Sequence, residues 1–398
     1  MNRHKIAIVS YDYPIDVSPT ILNIWSYLAA RGYNVDLVTD SLLHRKSFTR
    51  YSLRLITLIP VVLSNYMVKR HFVYRFSIIR KIHNWLFVSR LKQIINDYDC
   101  LFCVEFASLD AVARTGFPLS KAIYLFLEGI ACTRPFNRDY VKTMLTNCAF
   151  CIIASEERGR DIDKHFGLAL DFEYVPVSMR PPLRKEILAN KKGSVEKGEL
   201  NIVYSGYIAE WSCLGEFIEL YRRLPMFERS RLCIHGHKMG TKRYYKAVVA
   251  KVKGMKGVTV DQSYYVGEGY HEFLSRFDIG LAFYKNYINS SDWDNLMFSS
   301  GKIASYLWAG MAVMTNILHP LSMRPPFLYV ESINEVAVSD AILHYHVDRE
   351  GYQKAARECA AKFYNIEVYM DRVIDRIEGM GGRGDEREVQ GGDGRVYL

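Results

Sequence analysis

The stretch that most limits the fold of this chain runs from Arg276 to Asn316, RFDIGLAFYKNYINSSDWDNLMFSSGKIASYLWAGMAVMTN. An apolar run, DIGLAFY, leads into a polar loop. A helical pattern then opens at Ser299-Ser300-Gly301-Lys302, closes near Ala309-Gly310 and gives way at once to a second apolar run, MAVMTN. Two strands joined through a helix lie parallel, because a parallel pair needs a long crossover. Short strands that are apolar throughout belong to a sheet covered on both faces, which is the α/β class.

The helix of this unit begins with small residues. Its first-turn N–H groups and the positive end of its dipole suit an anion such as a phosphate, and Lys302 adds a point charge in the first turn. The alternative is an ordinary Ser/Gly helix start, since these residues cap helices well. It is not a Walker loop: Ile303 stands where Ser or Thr is required, and no glycine lies five residues before Gly301.

At 398 residues the chain exceeds what one core normally supports, so two domains are expected. The same alternation runs through both halves. KIAIVS (Lys5–Ser10), a helix over Thr20–Arg31 ended by Gly32, NVDLVT, DCLFCVEF, KAIYLFLE, CAFCIIAS, a helix in SEERGRDIDKHFG and the strand FEYVPV make a first Rossmann-like domain, residues 1–178. Residues 179–199, with Pro181-Pro182 and NKKGSVEKGE, read as a linker. LNIVYS restarts the pattern, and LCIHGH, a basic helix, GVTVDQ, a helix near His271–Phe277 and the opening unit complete a second domain, residues 200–350. Residues 351–378 read as one long helix. Residues 379–398 hold seven glycines and read as a disordered tail, in which Arg383-Gly384-Asp385 is a chance match.

Charge is distributed unevenly. Between Ser41 and Asn96 there is no Asp or Glu, yet there are eleven Lys and Arg, more than the net +9 of the whole chain. Phe48, Tyr51, Tyr66, Phe72, Tyr74, Phe76, Trp85 and Phe87 are interleaved with them. Cations with amphipathic aromatics suit an anionic membrane surface. The longest uncharged run, Leu55–Val68, has 14 residues and contains Pro60, too short to span a bilayer. The segment 41–96 is therefore expected to lie on a membrane, not to cross it. A cleft for a phosphate-bearing acceptor and a plain solvated surface are the competing readings, and no nucleic-acid motif is present.

Eight cysteines and no signal peptide point to a reducing cytoplasm. Cys100-x-x-Cys103 and Cys148-x-x-Cys151 have metal-like spacing but sit in apolar runs. A strand places residues three apart on opposite faces, which favours core thiols over zinc. Asp292-Trp293-Asp294 is read as solvated loop in preference to a metal pair, and no metal or other cofactor is expected. Asp12, Glu105 and Glu128 follow or end strands, where open α/β sheets bind ligands. Glu128 is the candidate acceptor-side base, with a turn-capping carboxylate as its alternative. His235 and His237 flank Gly236 at another strand end and are read as structural or as sugar or phosphate contacts.

SSGKIASYLWAGMAVM resembles the donor segment of family 4 glycosyltransferases of the GT-B fold, in which an SSGK-I-x-E-Y-L-x-x-G-x-P-V-I-like run grips the diphosphate and ribose of a nucleotide sugar. NIVYSGYIAEW, LCIHGH and VTVDQSYYVGEGYHEFLSRFDIGLAFY extend the likeness, which spans about Lys5 to Glu378. It implies two Rossmann-like domains with the donor cleft between them and a C-terminal helix crossing back to the first. Gly206 and Tyr207, with His235 and Gly236, would lie along the donor phosphate or sugar. Ser263, Tyr264 and Tyr265 would read the base, and Asn295, Ser299, Ser300, Gly301, Lys302 and Ser305 would hold the diphosphate and ribose. Asp12 and Glu105 would face the acceptor.

Departures from that pattern are equally specific. Ser305 stands where the family carries its ribose-binding carboxylate, and Met297 where the paired Glu of E-x7-E falls. YIAEWSC after Gly206 brings Glu210 and no cation, leaving Lys302, Lys285 or Lys238 to neutralise the diphosphate, and Tyr11–Pro14 replaces an N-terminal glycine pair. The resemblance implies a retaining, metal-free transfer of a sugar to a cell-surface or lipid-linked glycan, at the cytoplasmic face of a membrane. Catalysis would rest on Lys302 and Glu128. A nucleotide-sugar epimerase of the same fold and a catalytically degenerate donor-binding subunit are the alternatives.

Overall fold

The computed structural model of the protein describes residues 4–13, 15, 18–42, 55–59, 76–127, 130, 133, 136–179, 181, 199–225, 227–236, 242–265, 267–285 and 296–381. Two fully parallel sheets account for its strands. The first contains β1 (Lys5–Ser10), β2 (Asn34–Thr39), β3 (Leu55–Thr57), β4 (Cys100–Val104), β5 (Ala122–Leu125), β6 (Phe150–Ile153) and β7 (Phe172–Tyr174), in the order β3-β2-β1-β4-β5-β6-β7. The second contains β8 (Leu200–Ser205), β9 (Ser230–His235), β10 (Val258–Asp261), β11 (Ile279–Ala282), β12 (Ala312–Thr315) and β13 (Phe327–Tyr329), ordered β10-β9-β8-β11-β12-β13. In each sheet the order reverses beside the first strand, so a crevice opens at the C-terminal strand ends.

Alternation along each strand feeds a separate apolar layer on each face. Ala7, Val9, Leu101 and Cys103 point toward the helices Ser77–Ile94, Glu105–Ala113 and Arg138–Asn147, whereas Ile6, Ile8, Cys100 and Phe102 point toward Pro19–Ala30. Cys100 and Cys103 therefore lie in different layers, as strand geometry requires. Cys148 ends a helix and Cys151 lies in β6, and burial lifts the Cys148 thiol to about 12.

The chain crosses between domains twice at one place. Met179 pairs with Asn365: its N–H donates to the Tyr364 carbonyl (3.0 Å), and Ile366 N–H donates back to the Met179 carbonyl (3.3 Å). The expected single helix over 351–378 is therefore two. Arg349–Phe363 buries Ala356, Cys359 and Ala360 against the second domain. Ile366–Gly381 buries Ile366, Met370, Val373 and Ile377 against the first. Asn365 caps the second helix through Glu367 N–H (3.1 Å), and Trp308 Nε1 donates to the Tyr364 carbonyl (3.0 Å), which holds the break. The linker beyond Pro181 up to residue 198 and the tail from 382 lie outside the described residues.

The basic segment contributes ordinary fold elements where it is described. Leu55–Thr57 pairs with β2, and Ser77–Ile94 is a helix with His83, Phe87 and Leu91 buried at helical spacing. No helix among the described residues is long and apolar enough to cross a membrane.

Gly280 in β11 lies under the ring of Tyr306; a Cβ there would stand 2.3 Å from the ring. Tyr306 OH in turn accepts from Ser205 N–H at the end of β8 (2.7 Å). Gly280→Ala should displace this buried ring at a cost of about 1–3 kcal/mol. The check is a lowered midpoint in urea unfolding, and an unchanged midpoint would show that the ring moves freely.

Candidate active site in the interdomain cleft

The cleft floor is built from two helix N-termini. Ser18 and Ser300 occupy the N-cap positions of Pro19–Ala30 and Gly301–Trp308, and neither side chain caps its own helix. The Ser300 hydroxyl is drawn off to Tyr284 OH instead. Pro at the start of the first helix has no N–H to satisfy. The two ends nearly touch: a Cβ on Gly301 would lie 3.5 Å from Pro19 Cγ and 3.6 Å from Val177 Cγ1. Val177 N–H donates across to the Phe298 carbonyl (2.8 Å).

A pocket of about 160 Å3 opens here, lined by Ser18, Thr20, Arg158, Tyr207, Ser299 and Gly301 among others. Arg158 comes from the helix Glu156–Phe166 after β6, and its Nη1 is steadied by the Leu127 carbonyl at 3.1 Å. Two positive helix ends and a guanidinium around one small space favour an anion. Sequence reasoning missed Arg158, Ser18 and Thr20, because an arginine on an amphipathic helix reads as solvated surface. The only available signal was its place just after a strand.

The wall on the second domain is backbone against backbone. Gly206 N–H donates to the His235 carbonyl (3.0 Å), and a Cβ on Gly236 would fall 1.8 Å from the Gly206 carbonyl oxygen. Both glycines have positive φ, 151° and 155°. His235 is buried and its nitrogens work inside the protein. Nε2 faces the Ser263 carbonyl (3.0 Å) and so carries the proton, while Nδ1 accepts from Ser205 Oγ (2.8 Å), itself bonded to Tyr270 OH (2.7 Å). Burial lowers its pKa, which keeps the ring neutral. The structural reading of His235 is the one this geometry fits, and the histidine pins the Ser263 loop. Within that loop Ser263 N–H donates to Asp261 (2.8 Å), Tyr265 OH donates to the same carboxylate (2.9 Å), and the Tyr265 ring stacks on Phe273 at 4.6 Å. Ser263 is exposed and Tyr264 half-buried.

Lys302 does not line the pocket. Its side chain passes beneath Gly206, where a Cβ would meet Lys302 Cδ at 3.1 Å, and Nζ ends among the rings of Tyr284, Tyr204 and Trp211, 4.5, 4.8 and 5.0 Å from their centroids. The amine is buried with no hydrogen-bond partner among the described residues, and burial pulls its pKa from 10.5 to about 7. Cation–π attraction offsets part of the desolvation. Ser305 is also turned inward: its hydroxyl donates to the Gly301 carbonyl (2.7 Å), and the residue is 2% exposed. The hydroxyl is thus bonded within its own helix, at the position where the resemblance implies a ribose contact. Lys285 pairs with Glu216, so its charge is already committed.

On the first domain, Asp12 lies after β1 with φ 72°, its N–H donating to Asp40 Oδ1 (3.1 Å). Glu105 opens its helix with φ 58° and is 3% exposed; Oε1 accepts Leu127 N–H (2.7 Å). It fixes the pocket wall from inside, where an acceptor-facing carboxylate was expected. Glu128, His237, Lys238, Asn295 and Asp292-Trp293-Asp294 lie outside the described residues.

The Lys302 environment has a thermodynamic signature. Between about pH 7 and 10.5 the unfolded chain holds a proton on this lysine that the folded chain releases, so stability should rise with pH across that window. Lys302→Met should abolish that part of the rise and leave the variant more stable at pH 6. Chemical unfolding at several pH values checks both, and identical pH profiles would show the amine is not desolvated.

No family model and no curated protein sequence matches the chain. Solved structures do. Anabaena HepE, crystallised with UDP and glucose, superposes with a TM-score of 0.66 at 9% identity, over 95% of this chain and 100% of that one. A sucrose-phosphate synthase from Thermosynechococcus elongatus gives 0.65 at 14%, over 96% and 100%. A putative UDP-N-acetylglucosamine 2-epimerase from Listeria monocytogenes gives 0.59 at 11%, over 98% and 99%. With two parallel Rossmann-like sheets, a cleft at their C-terminal edges and a final helix returning to the first domain, the chain has the GT-B fold.

Proposed function

We propose that the protein is a glycosyltransferase that moves a sugar from a nucleoside-diphosphate sugar to an acceptor hydroxyl on a cell-surface or lipid-linked glycan, with retention, at the inner face of a membrane. The observation that carries this reading is the meeting of two uncapped helix N-termini and Arg158 on one cleft pocket. The diphosphate would sit there, with the sugar toward Gly206 and Tyr207 and the base toward Ser263–Tyr265. Breakage of the bond between the sugar's anomeric carbon and the phosphate leaves charge on the diphosphate, which the helix ends and Arg158 stabilise more in the transition state than before it. The departing phosphate takes the acceptor's proton, with Glu128 on the acceptor side, and no metal is required. Anabaena HepE, crystallised with UDP and glucose and with UDP-glucose, supports the choice of substrate class.

Lys302 enters this scheme as a reserve charge. Gly301, which lines the pocket, directly precedes Lys302, so a diphosphate bound there would raise the lysine's pKa and restore its proton, and binding of the nucleotide near pH 8 should take up a proton from buffer. Calorimetry in buffers of different ionisation enthalpy measures this. Lys302→Met should remove the uptake, and equal uptake in both proteins would overturn the role.

A panel of UDP, GDP, ADP, CMP and their sugar conjugates tests the donor site by thermal shift. A ligand at 100 times its Kd adds about 2.7 kcal/mol. One nucleotide family should stabilise the protein, and Arg158→Ala should weaken it about tenfold or more, the loss of one charge-assisted bond. The inward turn of Ser305 favours one second reading, a sugar-nucleotide-binding subunit without turnover. A nucleotide shift with no transfer to any acceptor would select it, and no shift at all would reject the donor site.

A further inference from the structure

The helix Ser77–Ile94 has two apolar faces where one would suffice. His83, Phe87 and Leu91 face the protein. On the opposite side Ile78, Ile82 and Trp85 are 71%, 52% and 63% exposed. At about 100° per residue these three fall within about 60° of arc, and Lys81 and Lys92 flank them on one edge. Both lysines are exposed, and the helix carries no Asp or Glu. The helix Glu335–Val347 also exposes an apolar row, Val336, Leu343 and Val347, but it carries Glu335 and Asp340 and no Lys or Arg, so the basic flank is what sets Ser77–Ile94 apart.

The geometry points to this outward face as the element that docks the protein on an anionic lipid surface. Isoleucines and a tryptophan at i, i+4 and i+7 enter the boundary between headgroups and acyl chains, and the lysines beside them meet lipid phosphates. Charge selects this occupant over a second copy of the chain: two copies would oppose like charges, since the helix itself carries Arg80, Lys81, Arg90 and Lys92 and no carboxylate. The inward face ties the helix to the cleft. Tyr11 OH lies 3.3 Å from His83 Nδ1, and the Tyr11 ring lies 4.7 Å from that of Phe87. Tyr11 directly precedes Asp12, so the docking helix and the acceptor side of the cleft are joined by packed side chains. The proposal deepens the membrane part of the functional reading, yet its test needs no sugar donor.

The full chain is sedimented with phosphatidylcholine vesicles, with and without phosphatidylglycerol, at low and high salt. Binding should need the anionic lipid and fall with salt. Brominated acyl chains should quench Trp85, a signal lost in Trp85→Phe. The triple variant Ile78→Ser, Ile82→Ser, Trp85→Ser should bind about tenfold or more weakly, with unchanged thermal unfolding and an intact nucleotide response. Equal binding by the triple variant, or binding that ignores phosphatidylglycerol, would overturn the proposal. So would a dimer in sedimentation velocity that Ile82→Asp dissolves. An unfolded triple variant would shift the decision to the Lys81→Glu, Lys92→Glu pair, whose vesicle binding should fall in the same way.

Discussion

Everything in the cleft depends on the place where the chain crosses between domains twice. Met179 leaving the first domain and Tyr364–Ile366 returning to it exchange backbone hydrogen bonds. A short exchange of this kind contributes little energy alone. Its effect comes from what it locks: Trp308 and Tyr364 from one side, and the apolar face of Ile366–Gly381 from the other. Val177, two residues before the crossing, bonds to Phe298 at the foot of the Gly301–Trp308 helix. The two helix N-termini meet because this joint sets them there.

The site itself is mostly backbone. Helix ends supply N–H groups, and two glycines supply close approach. The side chains near them serve the scaffold: His235 pins the Ser263 loop, Glu105 pins Leu127, and Ser305 is tied to its own helix. Such a site binds by geometry that folding fixes in advance, so it needs few charged residues of its own. Among the described residues, Arg158 faces the pocket and Lys302 lies behind it, enclosed in aromatic rings.

Periodicity made the architecture readable. Apolar runs such as KIAIVS and LNIVYS, the helix stop at Gly167 and the Gly206 and Gly236 turns follow local rules, and they appear where those rules put them. The break at Tyr364–Asn365 was invisible because neither Gly nor Pro marks it; a partner strand residue nearly two hundred positions away imposes it. The short strands Leu55–Thr57 and Phe327–Tyr329 are too brief to stand out. The fate of Lys302 was equally hidden, since its cage draws Tyr204, Trp211 and Tyr284 from three separate segments. Arg158 was overlooked because which side of a helix meets a cleft is a tertiary fact.

The twin crossing also dictates how the domains can move. Because both covalent connections pass through one spot beside the pocket floor, the relative motion it leaves easiest is a rotation about that spot. Points on the floor then barely shift, while the Ser263 loop and the loop after β1, farther out, swing through wider arcs. The cleft would then work as a lever with its fulcrum at the pocket floor. An anion at the floor would keep its contacts through such a rotation, and only groups reaching the rim would be gripped or released.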